Sequence, residues 1–177
     1  MKRIAIAAAA AFLLLGTAQA QQAASPLYGE IGYTMLNAEG GGADVNPHAL
    51  RAIIGYDLHR YFAVEGMLAF GVREDSFFDG IENVDVKLKH AYGLFVKPKY
   101  DFGNIEAFGR LGWVKAKVDA SCPSGTCSGQ SESDFAYGLG VNYRFNPKMH
   151  VGIDWMRYQD KNGLKLDGWT IGFGYRF

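Results

Sequence analysis

Asp134-Phe-Ala-Tyr-Gly-Leu-Gly-Val-Asn-Tyr-Arg-Phe145 alternates without a break. Phe135, Tyr137, Leu139, Val141, Tyr143 and Phe145 fall on one side; Asp134, Ala136, Gly138, Gly140, Asn142 and Arg144 fall on the other. Successive residues of an extended chain point to opposite faces, so the stretch is a strand with one apolar face and one polar or small face. The final segment repeats the pattern, with Trp169, Ile171, Phe173, Tyr175 and Phe177 against Gly168, Thr170, Gly172, Gly174 and Arg176. Working outward, the same period marks segments at 27–36, 48–58, 61–72, 86–100, 105–117, 134–145, 149–158 and 166–177, with no helical period of any length.

The connections alternate in length. Leu58–Tyr61, Asp101–Asn104 and Phe145–Lys148 are tight, and the latter two carry the Asp, Gly, Asn and Pro that suit hairpin turns. Longer loops are expected near 37–47, 73–85, 119–133 and 159–165, which puts both ends of the meander on the short-turn side. Short periplasmic turns opposite long extracellular loops are the asymmetry of an outer-membrane barrel.

Alternation alone leaves the inside face open, and three features assign it. Glu65, Lys97, Arg110 and Asp154 sit among glycines on the polar face, which suits the narrow lumen of an eight-stranded barrel better than the whole solvent face of a soluble sheet. Aromatics gather at both ends of the apolar face: Tyr56, Phe62, Tyr100, Tyr143 and Tyr175 near the short turns, and Tyr33, Phe70, Tyr92, Trp113, Phe135, Trp155 and Trp169 near the long loops. Such belts mark two water–lipid interfaces. The last segment, finally, runs to Phe177 with no polar tail. The fold class expected is all-β: an eight-stranded antiparallel up-and-down transmembrane β-barrel.

The N-terminus reads as a removable address. Lys2 and Arg3 precede an unbroken apolar run from Ile4 to Leu15, and Ala18-Gln19-Ala20 fits a cleavage site. The run is too short for a spanning helix. The domains expected are a cleaved signal peptide at 1–20 and a barrel at 21–177. Equal numbers of basic and acidic residues, 18 of each, and no Lys/Arg run argue against a nucleic-acid partner. With 49% hydrophobic residues in a regular pattern the chain is not disordered, and its 23 glycines follow no collagen period.

Tyr137-Gly-Leu-Gly-Val-Asn-Tyr-Arg-Phe145, a short turn and Val151-Gly-Ile-Asp-Trp155 resemble the penultimate hairpin of OmpA-type and OmpX-type small outer-membrane barrels. Ile171-Gly-Phe-Gly-Tyr-Arg-Phe177 resembles their last strand. The resemblance implies that Tyr175 and Phe177 form a C-terminal signal for the barrel-assembly machinery. It also implies a monomer set among outer-membrane lipids and lipopolysaccharide, with a structural or surface-interaction role in adhesion or protection. The extracellular partner is not readable from any motif.

Glu30, Glu65, Lys97, Arg110 and Asp154 fall at similar heights on the inward face and are expected to pair as an ion network, because unpaired charge there costs several kcal/mol. A plugged barrel core is the expected role; a small-solute pore is the alternative. Cys122 and Cys127 enclose Pro-Ser-Gly-Thr in a long loop of an exported chain, so a disulfide is expected in preference to a metal or redox site. No cofactor and no enzyme activity are expected: G-x-S-x-G and H-E-x-x-H are absent, and Gly172-Phe173-Gly174 is strand alternation. Some eight-stranded barrels modify lipids, and His48 and His90 approach the outer rim, but no His-x-Ser pair lies on a strand. Glu74, Asp75, Asp79, Glu82 and Asp85 lack calcium-loop spacing and read as a solvated acidic loop, with Phe77 and Phe78 at its tip as candidate contacts.

Overall fold

The computed structural model describes residues 25–40, 43–73, 75–78, 83–122, 125–161 and 164–177. The expected leader at 1–20 lies outside them, as do the side chains of Cys122, Cys127, the acidic loop and Phe77–Phe78. The strands are β1 (Leu27–Gly40), β2 (Ala43–Val45), β3 (His48–His59), β4 (Phe62–Arg73), β5 (Asp75–Phe78), β6 (Asn83–Phe102), β7 (Ile105–Cys122), β8 (Gly125–Asn146), β9 (Met149–Lys161) and β10 (Leu164–Arg176). No helix occurs among the described residues. Eight long strands run β10-β9-β8-β7-β6-β4-β3-β1, and β1 closes the ring on β10 from Tyr28↔Arg176 to Glu39↔Lys165. The short β2 and β5 pair with β1 and β6 above the barrel wall.

Parity assigns the two faces as the alternation requires. Leu94 and Trp113, paired on the apolar side, are 74% and 67% exposed, whereas Arg110, three residues before Trp113 on the same strand, is 0% exposed. The exposed face is a band of Ile, Leu and Val between two aromatic belts, a surface matched to hydrocarbon with amphipathic rings at its edges. Neighbouring rings touch within the belts: Trp113 meets Phe135 edge-on at 5.7 Å, and Tyr100 meets Phe102 at 4.8 Å. The turn between β6 and β7 holds Gly103 at φ 72°, a conformation glycine adopts without a Cβ penalty.

The structure corrects the expected loop at 119–133. Its described residues are β-structure: β7 and β8 stay paired from Ile105↔Tyr143 to Cys122↔Gly125, with one irregularity between Val118 and Ala120. The 22 residues of β8 reach about 70 Å at ~3.3 Å per residue, against the ~25 Å apolar band of an outer-membrane barrel. With β6 at 20 residues and β7 at 18, three strands continue past the outer aromatic belt as a projecting antiparallel sheet. The expected loop at 73–85 likewise contains β5, which pairs with the start of β6 from Asp75↔Val86 to Phe78↔Asn83.

Candidate functional site

Inside the barrel, each long charged side chain points across a small neighbour. Glu30 is paired in register with Gly174, Arg51 with Gly32, Glu65 with Gly55, Arg110 with Gly138 and Asp154 with Gly140. Lys97 is opposite Ala63. The space beside each glycine is filled by a lumen side chain: Tyr28 at Gly55, Thr170 at Gly32, His150 at Gly174, Met156 at Gly138 and Asp154 at Gly140. A Cβ on Gly140 would lie 2.5 Å from Asp154 Cβ and 2.6 Å from the Phe108 ring.

The five residues singled out by sequence meet, and Arg110 is their centre. Its Nε donates to Glu65 Oε2 at 2.6 Å, Nη1 to Asp154 Oδ2 at 3.0 Å and Nη2 to Glu30 Oε2 at 3.0 Å. One planar guanidinium is therefore held by three carboxylates from three other strands. Lys97 Nζ lies 3.5 Å from Glu65 Oε1, and 4.3 Å from the centre of the Phe108 ring.

Sequence reading missed a second guanidinium. Arg51, 1% exposed, donates through Nη1 to Asp154 Oδ1 at 2.9 Å and to the Tyr158 hydroxyl at 3.2 Å, and through Nη2 to Asp154 Oδ2 and to Glu30 Oε1 at 3.4 Å. Arg51 lies on the inward side of β3 with Ala49 and Ile53, an apolar setting that does not mark it as a lumen charge. Toward the periplasmic mouth the network continues. Tyr28 donates to Glu65 at 2.6 Å, Lys97 reaches Glu106 at 3.1 Å, Lys99 pairs with Asp57 and Glu106, and Arg176 reaches Asp57 at 2.7 Å. Arg51, Lys97, Lys99, Arg110 and Arg176 thus face Glu30, Asp57, Glu65, Glu106 and Asp154, equal in number. Every charge has a partner, as the low dielectric demands.

Above this polar layer the lumen changes character. Leu36, Ala49, Met67, Ala69, Ala91, Val114, Ala136, Met156 and Tyr158 form a buried apolar cluster at the extracellular end. Among the described residues, a cavity at the periplasmic mouth is about 10 Å³ and one in the apolar layer about 20 Å³, each with room for about one water. His48 stacks on Tyr33 at 5.4 Å, and His150 Nε2 stands 3.9 Å from Glu30. Among the described residues no group of His, Cys, Asp and Glu could hold a metal ion.

The second feature is the edge of the projecting sheet. β8 pairs with β9 from Asn146↔Met149 up to Tyr137↔Arg157 and no further, while its pairing with β7 continues to Gly125. Among the described residues, β8 from 125 to 133 therefore has no strand on its second side. The backbone register there places Cys122 opposite Gly125 and Cys127 opposite Ala120.

Residues 6–177 match the family described as outer membrane protein beta-barrel domain. Over 152 residues the chain is 26% identical to the attachment invasion locus protein of Yersinia pseudotuberculosis, covering 83% of this chain and 82% of that one. It is 28% identical over 103 residues to outer membrane protein X of Enterobacter cloacae, covering 56% and 59%. The crystal structure of the Yersinia pestis attachment invasion locus protein superposes with a TM-score of 0.65 at 21% identity, over 86% of this chain and 99% of that one.

Proposed function

The chain belongs to the outer membrane protein β-barrel family and is an integral protein of the bacterial outer membrane; from that premise we propose that it is a closed, non-catalytic scaffold that attaches the cell to other surfaces. Attachment enters from the relative at 26% identity, the attachment invasion locus protein of Yersinia pseudotuberculosis. The observation that carries it for this chain is the open edge of β8. An unpaired strand edge offers a row of backbone donors and acceptors to an incoming extended segment. The sequence there, Gly125-Thr-Cys-Ser-Gly-Gln-Ser-Glu-Ser133, has none of the Lys or Pro that commonly blunts such an edge. Recognition through backbone bonds with small side chains tolerates many partner sequences, which suits attachment.

The same reading takes in the finer assignments. Residues 1–20 are removed on export, and Cys122–Cys127 forms a disulfide that stiffens the hairpin tip. Tyr175 and Phe177 serve the assembly machinery, and the barrel is a monomer ringed by lipopolysaccharide at its outer belt. The filled lumen supports a scaffold over a small-solute pore. The test is binding of bacteria to cultured host cells with and without the protein on their surface. Wild type is expected to raise binding, and deletion of 119–131 to abolish the gain while heat-modifiable gel mobility shows an intact barrel. Undiminished binding by that deletion would remove the edge from the argument.

A further inference from the structure

One hairpin carries an unbalanced cation directly below a gap in the lipid-facing wall. Arg60 stands in the tight turn between β3 and β4, and among the described residues it pairs with no carboxylate. The acids of this turn and the next are engaged elsewhere, Asp57 by Lys99 and Arg176, and Asp101 by Arg144. The Arg60 guanidinium is held instead over the Tyr61 ring, 4.7 Å from its centroid. Tyr61 in turn stacks nearly parallel on Tyr100 at 6.0 Å, Tyr100 meets Phe102, and the Tyr61 backbone N–H donates to His59 Nδ1 at 3.4 Å. These rings are exposed beside the short turns, so the ladder fixes Arg60 at headgroup depth in the periplasmic leaflet. A guanidinium resting on a ring face keeps its N–H edge free, and that fork fits a phosphate.

Above that turn, Ile54, Gly66, Leu94 and Trp113 stand in register on the outward face of β3, β4, β6 and β7. The three large side chains are exposed, and the glycine among them leaves a gap in the row. A Cβ on Gly66 would meet nothing closer than 3.7 Å. With Tyr56 and Val64, one step nearer the turn, these residues line an open apolar groove of about 520 Å³. Gly66 follows Arg60 by six residues, which is about 20 Å along a strand and, at a tilt of ~40°, ~15 Å in depth. That is close to half of the ~25 Å apolar band, the depth at which the chains of one leaflet end.

We propose that the β3–β4 hairpin binds one phospholipid of the periplasmic leaflet, with its phosphate on Arg60 and the end of an acyl chain over Gly66. Folded protein in detergent is titrated with dipalmitoyl phosphatidylglycerol and weighed intact by native mass spectrometry, each variant being checked for an assembled barrel by heat-modifiable mobility. Wild type is expected to retain one lipid. Arg60→Gln and Gly66→Leu are each expected to raise the lipid concentration for half occupancy about tenfold, the size of one lost charge-assisted contact. Lys148→Gln with Val151→Leu, changes at the β8–β9 turn and on the lipid face of β9 across the barrel, should leave retention unchanged. Glycerol phosphate, the headgroup without its chains, should not displace the lipid at equal concentration. Retention that either Arg60→Gln or Gly66→Leu leaves untouched overturns the proposal, and so does an equal loss in the variant across the barrel. Displacement by glycerol phosphate also overturns it, since the site would then be an anion site without a groove. Gly66→Val replaces Gly66→Leu if the latter does not assemble.

Discussion

Arg110 shows what the lumen demands of a single side chain. Its three carboxylate partners come from β1, β4 and β9, so one guanidinium ties strands that are not neighbours in the wall. Removing one member of a buried pair leaves the other charged and unsolvated, which typically costs about 3–5 kcal/mol, whereas removing both at once leaves less behind. Glu65→Gln and Arg110→Met are each expected to destabilise the barrel by that order in urea unfolding from lipid vesicles. The double variant should lose less than the sum, with a coupling of about 1–3 kcal/mol. Additive effects below 1 kcal/mol would mean that water screens these charges, contrary to a filled lumen. Arg51 makes a comparable set of bonds and yet escaped the sequence. Its strand reads Ala49, Arg51, Ile53 inward and Leu50, Ala52, Ile54 outward, so neither face is polar enough to single it out.

At the scale of the strand, glycines with the same name have opposite duties. Gly140 faces the lumen, and its missing Cβ is the room occupied by Asp154 and Phe108. Gly66 faces lipid, where a Cβ would meet Ile54 and Leu94 no closer than 3.7 Å. Gly140→Ala is therefore expected to impair assembly and Gly66→Ala to leave it intact, as read by the fraction of heat-modifiable protein; equal damage would mean the faces are misassigned. Strand parity, the eight segments and the short turns were legible because lipid on one side and a narrow lumen on the other impose a strict period of two. Two things were not. The projecting part of β7 and β8 is rich in Ser, Gly and Thr and its sequence carries no alternating apolar stripe, so its strands rest on cross-strand pairing that composition does not display. The apolar layer was hidden for the reverse reason: beside Met67 the inward Ala69 and the outward Gly66 and Leu68 are apolar or small alike, and the contrast that marks a lumen residue vanishes.

For the whole molecule the two layers of the lumen act as seals of different kind. The charged layer is closed to solutes because its members bond each other, with about 10 Å³ left over at the periplasmic mouth. The apolar layer above it is closed to ions because it offers them no ligands in exchange for their hydration. A conducting path needs both layers wetted, so loosening either alone leaves the barrel shut. Wild type in planar bilayers is expected to give no stable open level. Glu65→Gln with Arg110→Met should remain silent despite its weakened plug, and Met67→Gln with Ala69→Ser should also remain silent, because in each case one seal survives. Combining the four changes should produce discrete openings if the variant still assembles by gel mobility. Steady conductance in wild type, or from the charged-layer pair alone, would show that the upper layer admits water. The barrel would then be a pore whose gate is the Arg110 network.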